Sequence, residues 1–141
     1  MTGISKIFID TAPIIYFLEN HTTYGSKMLN IINTCLDNNI MILMSVLGCG
    51  EYLTIPYRDN NQTKINNFEH FIDDLNIQVF EINMDIMKIA AKLRAKYTSI
   101  KMPDAIQLAT AINTKCDIFL HNDFQLRQID EIKTVLIDNW T

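Results

Sequence analysis

Short apolar runs bounded by polar residues constrain this chain most. KIFID at 6–10 and IMILMS at 40–45 are apolar through the middle, and similar runs cover Ile77–Ile82, Asp117–Leu120 and Thr134–Ile137. At four to six residues, with apolar side chains on both faces, they read as strands buried on both sides. Between them lie longer segments with apolar residues three and four apart. The spacing predicts a helix from Thr11, with Thr11 as its N-cap and Ile14, Phe17 and Leu18 turned inward. It predicts others over Tyr24–Asp37 (Met28, Ile31, Ile32, Cys35), Val46–Tyr57 and Asn60–Leu75 (Ile65, Phe68, Phe71, Ile72, Leu75). Two more follow: Met84–Tyr97 (Ile86, Ile89, Ala90, Leu93, Tyr97), and one from Pro103 with Ala105, Ile106, Leu108, Ala109 and Ile112 on its apolar side. Strands alternating with helices predict an α/β fold, a parallel sheet of about five strands with helices on both faces.

With 141 residues, no repeat and no composition shift, the chain reads as one domain over 1–141. The 48% apolar content and only four Gly and three Pro exclude a disordered chain. The uncharged stretch Ile40–Gly50 is about half of the ~20 residues a spanning helix needs, so no membrane association is expected. MTGISKIFID shows no visible secretory signal, so a cytoplasmic location is expected. Cys35, Cys49 and Cys116 are widely spaced and form no CxxC pair, so reduced thiols are expected rather than disulfides or zinc.

In open α/β sheets, ligands bind outside the carboxyl ends of the strands, where strand order reverses. Four acids fall at that edge: Asp10 ends the first strand, Glu51 follows the second, Asp104 lies in the first turn of the last helix, and Asp123 follows the fourth strand. None has Lys or Arg directly beside it. Each has an ordinary explanation: the helix dipole favours Asp104, and Asp123 with Asn122 suits a turn. Asp10, closing an apolar strand, has little local reason to be acidic. Glu51, among Leu47, Cys49, Tyr52 and Leu53, is costly there if unpaired. Gathered carboxylates repel one another and raise each other's pKa, and a hard divalent cation, Mg2+ or Mn2+, resolves this. Without those four, the 16 acids fall to 12 and equal the 12 bases. The net charge of −4 therefore does not bar a polyanionic substrate once metal is bound. Such an ion lowers the pKa of a coordinated water, and Glu51 or Asp123 can accept the proton, which is the chemistry of phosphodiester hydrolysis.

FIDTAPIIYFLE, SVLGCGEYL, LRAKYTSIKMPDAIQLATAI and FLHNDF, in this order across the whole chain, resemble the PIN-domain ribonucleases, especially the VapC toxins of type II toxin–antitoxin pairs. KMPDAIQLATAI is the most specific segment. The resemblance implies a three-layer α/β/α PIN-like fold and an acidic quartet of Asp10, Glu51, Asp104 and Asp123 holding Mg2+ or Mn2+. It further implies a metal-dependent endoribonuclease, a hydrolase acting on RNA and restrained by a cognate antitoxin. One departure stands out: His121 occupies the position, two before the fourth acid, where that family usually has Thr or Ser. A His there suits phosphate or a softer ion such as Mn2+. Thr11, His121 and Asn122 are thus candidate substrate contacts.

Lys88, Lys92 and Lys96 line one face of the Met84–Tyr97 helix, with Arg94 and Lys101 nearby, as a solvated face or as a guide for the RNA backbone. Ile15 and Tyr16 lie off the inner stripe of the first helix. Either a second copy of the chain or an antitoxin helix covers them, or the neighbouring helix packs over them. Two alternatives remain in view: a non-catalytic PIN-like module binding RNA or protein, and an RNA-processing nuclease with no antitoxin. Gly48-Cys49-Gly50 fails as a dinucleotide fingerprint because Leu53 stands at the third glycine, and no phosphate-loop motif exists. A phospho-receiver site is excluded by Thr11 where a second acid belongs.

Overall fold

A computed structural model describes residues 3–141; Met1 and Thr2, the first residues of the segment read as lacking a secretory signal, lie outside it. Five strands, β1 (Lys6–Ile9), β2 (Met41–Ser45), β3 (Gln78–Phe80), β4 (Ile118–His121) and β5 (Thr134–Leu136), form one parallel sheet in the order β3-β2-β1-β4-β5. Six α-helices flank it: α1 (Thr11–Leu18), α2 (Gly25–Asp37), α3 (Val46–Arg58), α4 (Gln62–Asp74), α5 (Met84–Lys96) and α6 (Met102–Asn113). This is the expected α/β architecture. Two short 3₁₀ turns, Phe124–Gln128 and Ile137–Asn139, were not foreseen. Among the described residues no helix is long and apolar enough to cross a membrane.

The strands bury both faces. Ile7, Ile9, Ile42, Met44, Ile118 and Leu120 point to one side, against Met28, Ile31, Ile32, Phe68 and Phe71 of α2 and α4. Phe8, Leu43 and Phe119 point to the other, against Ile86, Leu93, Leu108 and Ala109 of α5 and α6. The Phe8 and Phe119 rings stack at 5.5 Å between centroids. Period-two alternation on two apolar faces explains why the sequence shows these strands as uninterrupted runs.

Helix ends are set by asparagine. Asn20, Asn39, Asn60 and Asn76 have φ of 48°, 55°, 51° and 51°, each just past a helix. Bonds such as Ile40 N–H to the Cys35 carbonyl (2.8 Å) close the last turn behind them. Asn tolerates this left-handed conformation better than other non-glycine residues. After α6 the same position is Lys115, at φ 60°. The cysteines are free, as expected.

Two details of the sequence reading need correction. Thr11 is not the N-cap of α1; Asp10 is, and Thr11 begins the helix proper. On α6 the fully buried positions include Gln107 and Thr110, whereas Ile106 and Ile112 are only partly buried.

Candidate functional site

The chain enters the sheet at its centre, winds outward through β2 to β3, and returns by α5 and α6 to add β4 on the other side of β1. Strand order reverses between β1 and β4, and their carboxyl ends open a crevice there. Asp10 leaves β1 at this point, its N–H donating to the Leu120 carbonyl at 3.0 Å. α6 runs back against the sheet direction, so its first turn, with Asp104, lies at the same edge. Asp10, Thr11, Glu51, Asp104, Asn122 and Asp123, with Ala12 and Ile15, line one cavity of about 430 Å³. Six of the ten candidate residues are thus brought together.

Asp10 occupies an N-cap position, where a carboxylate ordinarily accepts an amide of the first turn, yet it makes no side-chain cap bond. It is 9% exposed. Burial pushes its pKa up to about 7; the Thr11 N–H offsets part of this, and Asp104, Glu51 and Asp123 add repulsion. Asp104 is likewise raised, first by burial and then by Asp123 and Glu51, while Lys101 one turn back opposes the shift. The sequence reading placed Lys101 only in the basic patch near α5, not beside Asp104.

Glu51 is exposed, so the expected cost of burying it among apolar neighbours does not arise. It is held by the Thr11 hydroxyl, which donates to Oε1 at 2.7 Å. Behind it runs a buried chain: Ser45 Oγ donates to Gln107 Oε1 (2.5 Å), and Gln107 Nε2 donates to Thr11 Oγ1 (2.8 Å). Each donor has one acceptor, so the order of the chain directs the Thr11 proton to Glu51. Gly48 makes room for it: a Cβ there meets Gln107 Nε2, Met44 Cε and Thr11 Oγ1, each at 3.3 Å. The first glycine of the Gly-Cys-Gly signal is therefore a packing feature, whereas a Cβ at Gly50 would meet open space. Ser45 and Gln107 were missed because their polarity acquires meaning only once β2, α1, α3 and α6 meet.

His121 does not line the cavity. It is fully buried, its Nδ1 accepts the Asp123 N–H at 3.1 Å, and its Nε2 has no partner among the described residues. Burial lowers its pKa to about 4. The expected contact with phosphate is thus closed to it in this geometry; it positions the loop bearing Asp123 instead. Asp123 also accepts the Gln125 N–H at 2.9 Å. Lys88, Lys92 and Lys96 are exposed on α5 and absent from the cavity lining, and Lys96 pairs with Glu131 at 3.2 Å. Tyr16, read as surplus apolar surface, stacks on Tyr24 at 5.0 Å, and Ile15 faces the cavity.

The donors fit a hydrated hard cation. All four are carboxylates, no base among the described residues lines the cavity, and two of the acids hold protons more tightly than usual because of burial and then of their neighbours. Among the described residues no three His, Cys, Asp or Glu side chains close on a common ligand sphere. Mg2+ is the hard cation that such an all-oxygen donor set fits by its chemistry, because it keeps several waters and takes only one or two carboxylates directly.

The PIN domain family matches residues 7–132, and the chain belongs to that family. Its structural neighbours are toxins of toxin–antitoxin complexes. VapBC2 from Rickettsia felis, bound to a promoter DNA fragment, superposes with a TM-score of 0.75 at 15% identity, covering 93% of this chain and 98% of that one. A toxin–antitoxin complex from Klebsiella pneumoniae gives 0.69 at 18% identity, over 93% and 97%. VapC20 from Mycobacterium tuberculosis, a sarcin–ricin-loop-cleaving toxin, gives 0.66 at 14%, over 90% and 98%. At such identities the likeness is one of fold. A search of curated protein sequences finds no match.

Proposed function

We propose that this protein is a Mg2+- or Mn2+-dependent endoribonuclease and the toxin of a toxin–antitoxin pair. The observation carrying this reading is the convergence of Asp10, Glu51, Asp104 and Asp123, from four separate segments, on one cavity lined by no base. Asp10 and Asp104 hold the cation. When bound, that ion lowers the pKa of a water and offsets charge on a phosphate oxygen. Glu51, with Oε1 fixed by Thr11, keeps Oε2 free to take the proton of the attacking water. Asp123 completes the acidic set, Asn122 meets substrate from the cavity wall, and Thr11, buried, acts by holding Glu51. The exposed Lys88 and Lys92 draw the RNA backbone in from α5. An antitoxin partner is supported by the toxin–antitoxin complex among the structural neighbours; a homodimer is a further candidate, readable by light scattering.

The test is cleavage of single-stranded RNA by wild type and Asp10→Asn, with Mn2+ and with chelator. The reading expects product only from wild type with metal. Equal cleavage in all four conditions overturns it.

A further inference from the structure

Resting on the ribonuclease reading, we propose that Phe124 and Arg127 form a stacking subsite for an unpaired nucleobase adjoining the bond to be cut. Phe124 is 67% exposed, although it directly follows Asp123 of the acidic cavity. Exposure alone is shared with Met84 and Tyr57; what sets Phe124 apart is its place beside the acidic cavity and its partner Arg127. Its ring is already held: the Arg127 guanidinium lies 4.7 Å from its centroid, and Arg127 Nε donates to the Phe124 carbonyl at 3.2 Å. Ordering the ring beforehand lowers the cost of stacking on it.

The two side chains line a second cavity of about 370 Å³ with Tyr24, Asn122 and Asn139. Asn122 lines both cavities, so a single residue separates the acids from the aromatic. The sequence explains the geometry: the 3₁₀ turn at Phe124 sends neighbouring Asp123 and Phe124 into different cavities. Arg127 is the one base lining either cavity, and among the described residues it forms no ion pair. Asp138 on the same wall is offset by Lys27. An aromatic face, a guanidinium plane and amide groups together are what an unpaired base uses, whereas a duplex hides its base faces.

Phe124→Trp provides a reporter, and Phe124→Ala, which retains Trp140, provides the background. In chelator, where no cleavage occurs, a single-stranded twelve-nucleotide RNA should quench Trp at 124, and its duplex should not. Phe124→Ala should bind the single strand about 5- to 150-fold more weakly, with Trp restoring affinity; with Mn2+, its KM should rise more than kcat falls. Circular dichroism confirms that the variants are folded. If Phe124→Ala binds the single strand as tightly as wild type, or the duplex quenches equally, the subsite is overturned. The same holds if the variant loses only a protein partner. Wild type that cleaves RNA alongside an unaffected Phe124→Ala leaves the nuclease reading standing; wild type that neither binds nor cleaves removes both.

Discussion

Replacing Asp10 by Asn should stabilise the metal-free protein while abolishing the proposed RNA cleavage. Burial and three neighbouring carboxylates raise Asp10 from 3.8 to about 7 in the folded state. A group whose folded pKa is raised holds its proton more tightly when folded. The contribution of Asp10 to stability is therefore greatest below pH 4, falls as pH climbs toward 7, and is flat above that. At about 1.4 kcal/mol for each tenfold change in proton affinity, the loss by pH 8 is roughly 4 kcal/mol. Asn keeps the shape and an oxygen acceptor but no charge, so Asp10→Asn should recover much of this at pH 8 and little at pH 4. His121, lowered to about 4, acts oppositely: its contribution is lost as pH falls from 6.5 to 4. The quantity to compare is thus the difference between wild type and variant at each pH, in which His121 cancels. Urea unfolding in chelator at pH 4.5, 6 and 8 measures it. Adding Mn2+ should then stabilise wild type and not the variant. A variant less stable than wild type at pH 8, or a difference independent of pH, refutes the electrostatic reasoning.

Other consequences are smaller. Thr11→Val removes the bond to Glu51 and strands the Gln107 amide, so stability should fall by about 1–3 kcal/mol and cleavage by more than Thr11→Ser causes. Nitrogen-detected NMR should find the His121 ring neutral down to pH 5; titration near 6.5 contradicts its burial. Lys115→Gly relieves a left-handed backbone and should raise stability by about 1 kcal/mol in urea titration, where a loss contradicts the strain. Lys88→Gln with Lys92→Gln should weaken RNA binding and flatten its salt dependence, whereas Lys96→Gln, already paired with Glu131, should change little.

The strands were legible because β1, β2 and β4 bury both faces, so nothing polar interrupts KIFI, ILM or IFL. The carboxylates were legible because parallel topology sends the ends of β1 and β4 and the start of α6 to one edge. What stayed hidden depends on partners distant in sequence. Gln107 looks like any polar residue on a helix until Ser45 and Thr11 arrive on either side. Glu51 reads as buried from its neighbours in sequence, yet the turn of α3 carries it to the cavity mouth. His121 reads as a ligand from its position, but alternation along β4 turns it inward, where its ring serves the Asp123 amide.

Crystals soaked in Mn2+ and measured at the manganese edge test the central claim most directly. The account predicts an anomalous peak between Asp10 and Asp104, with Glu51 and Asp123 near enough to reach it directly or through water. A well-ordered acidic cavity without such a peak, or manganese bound only elsewhere, contradicts it.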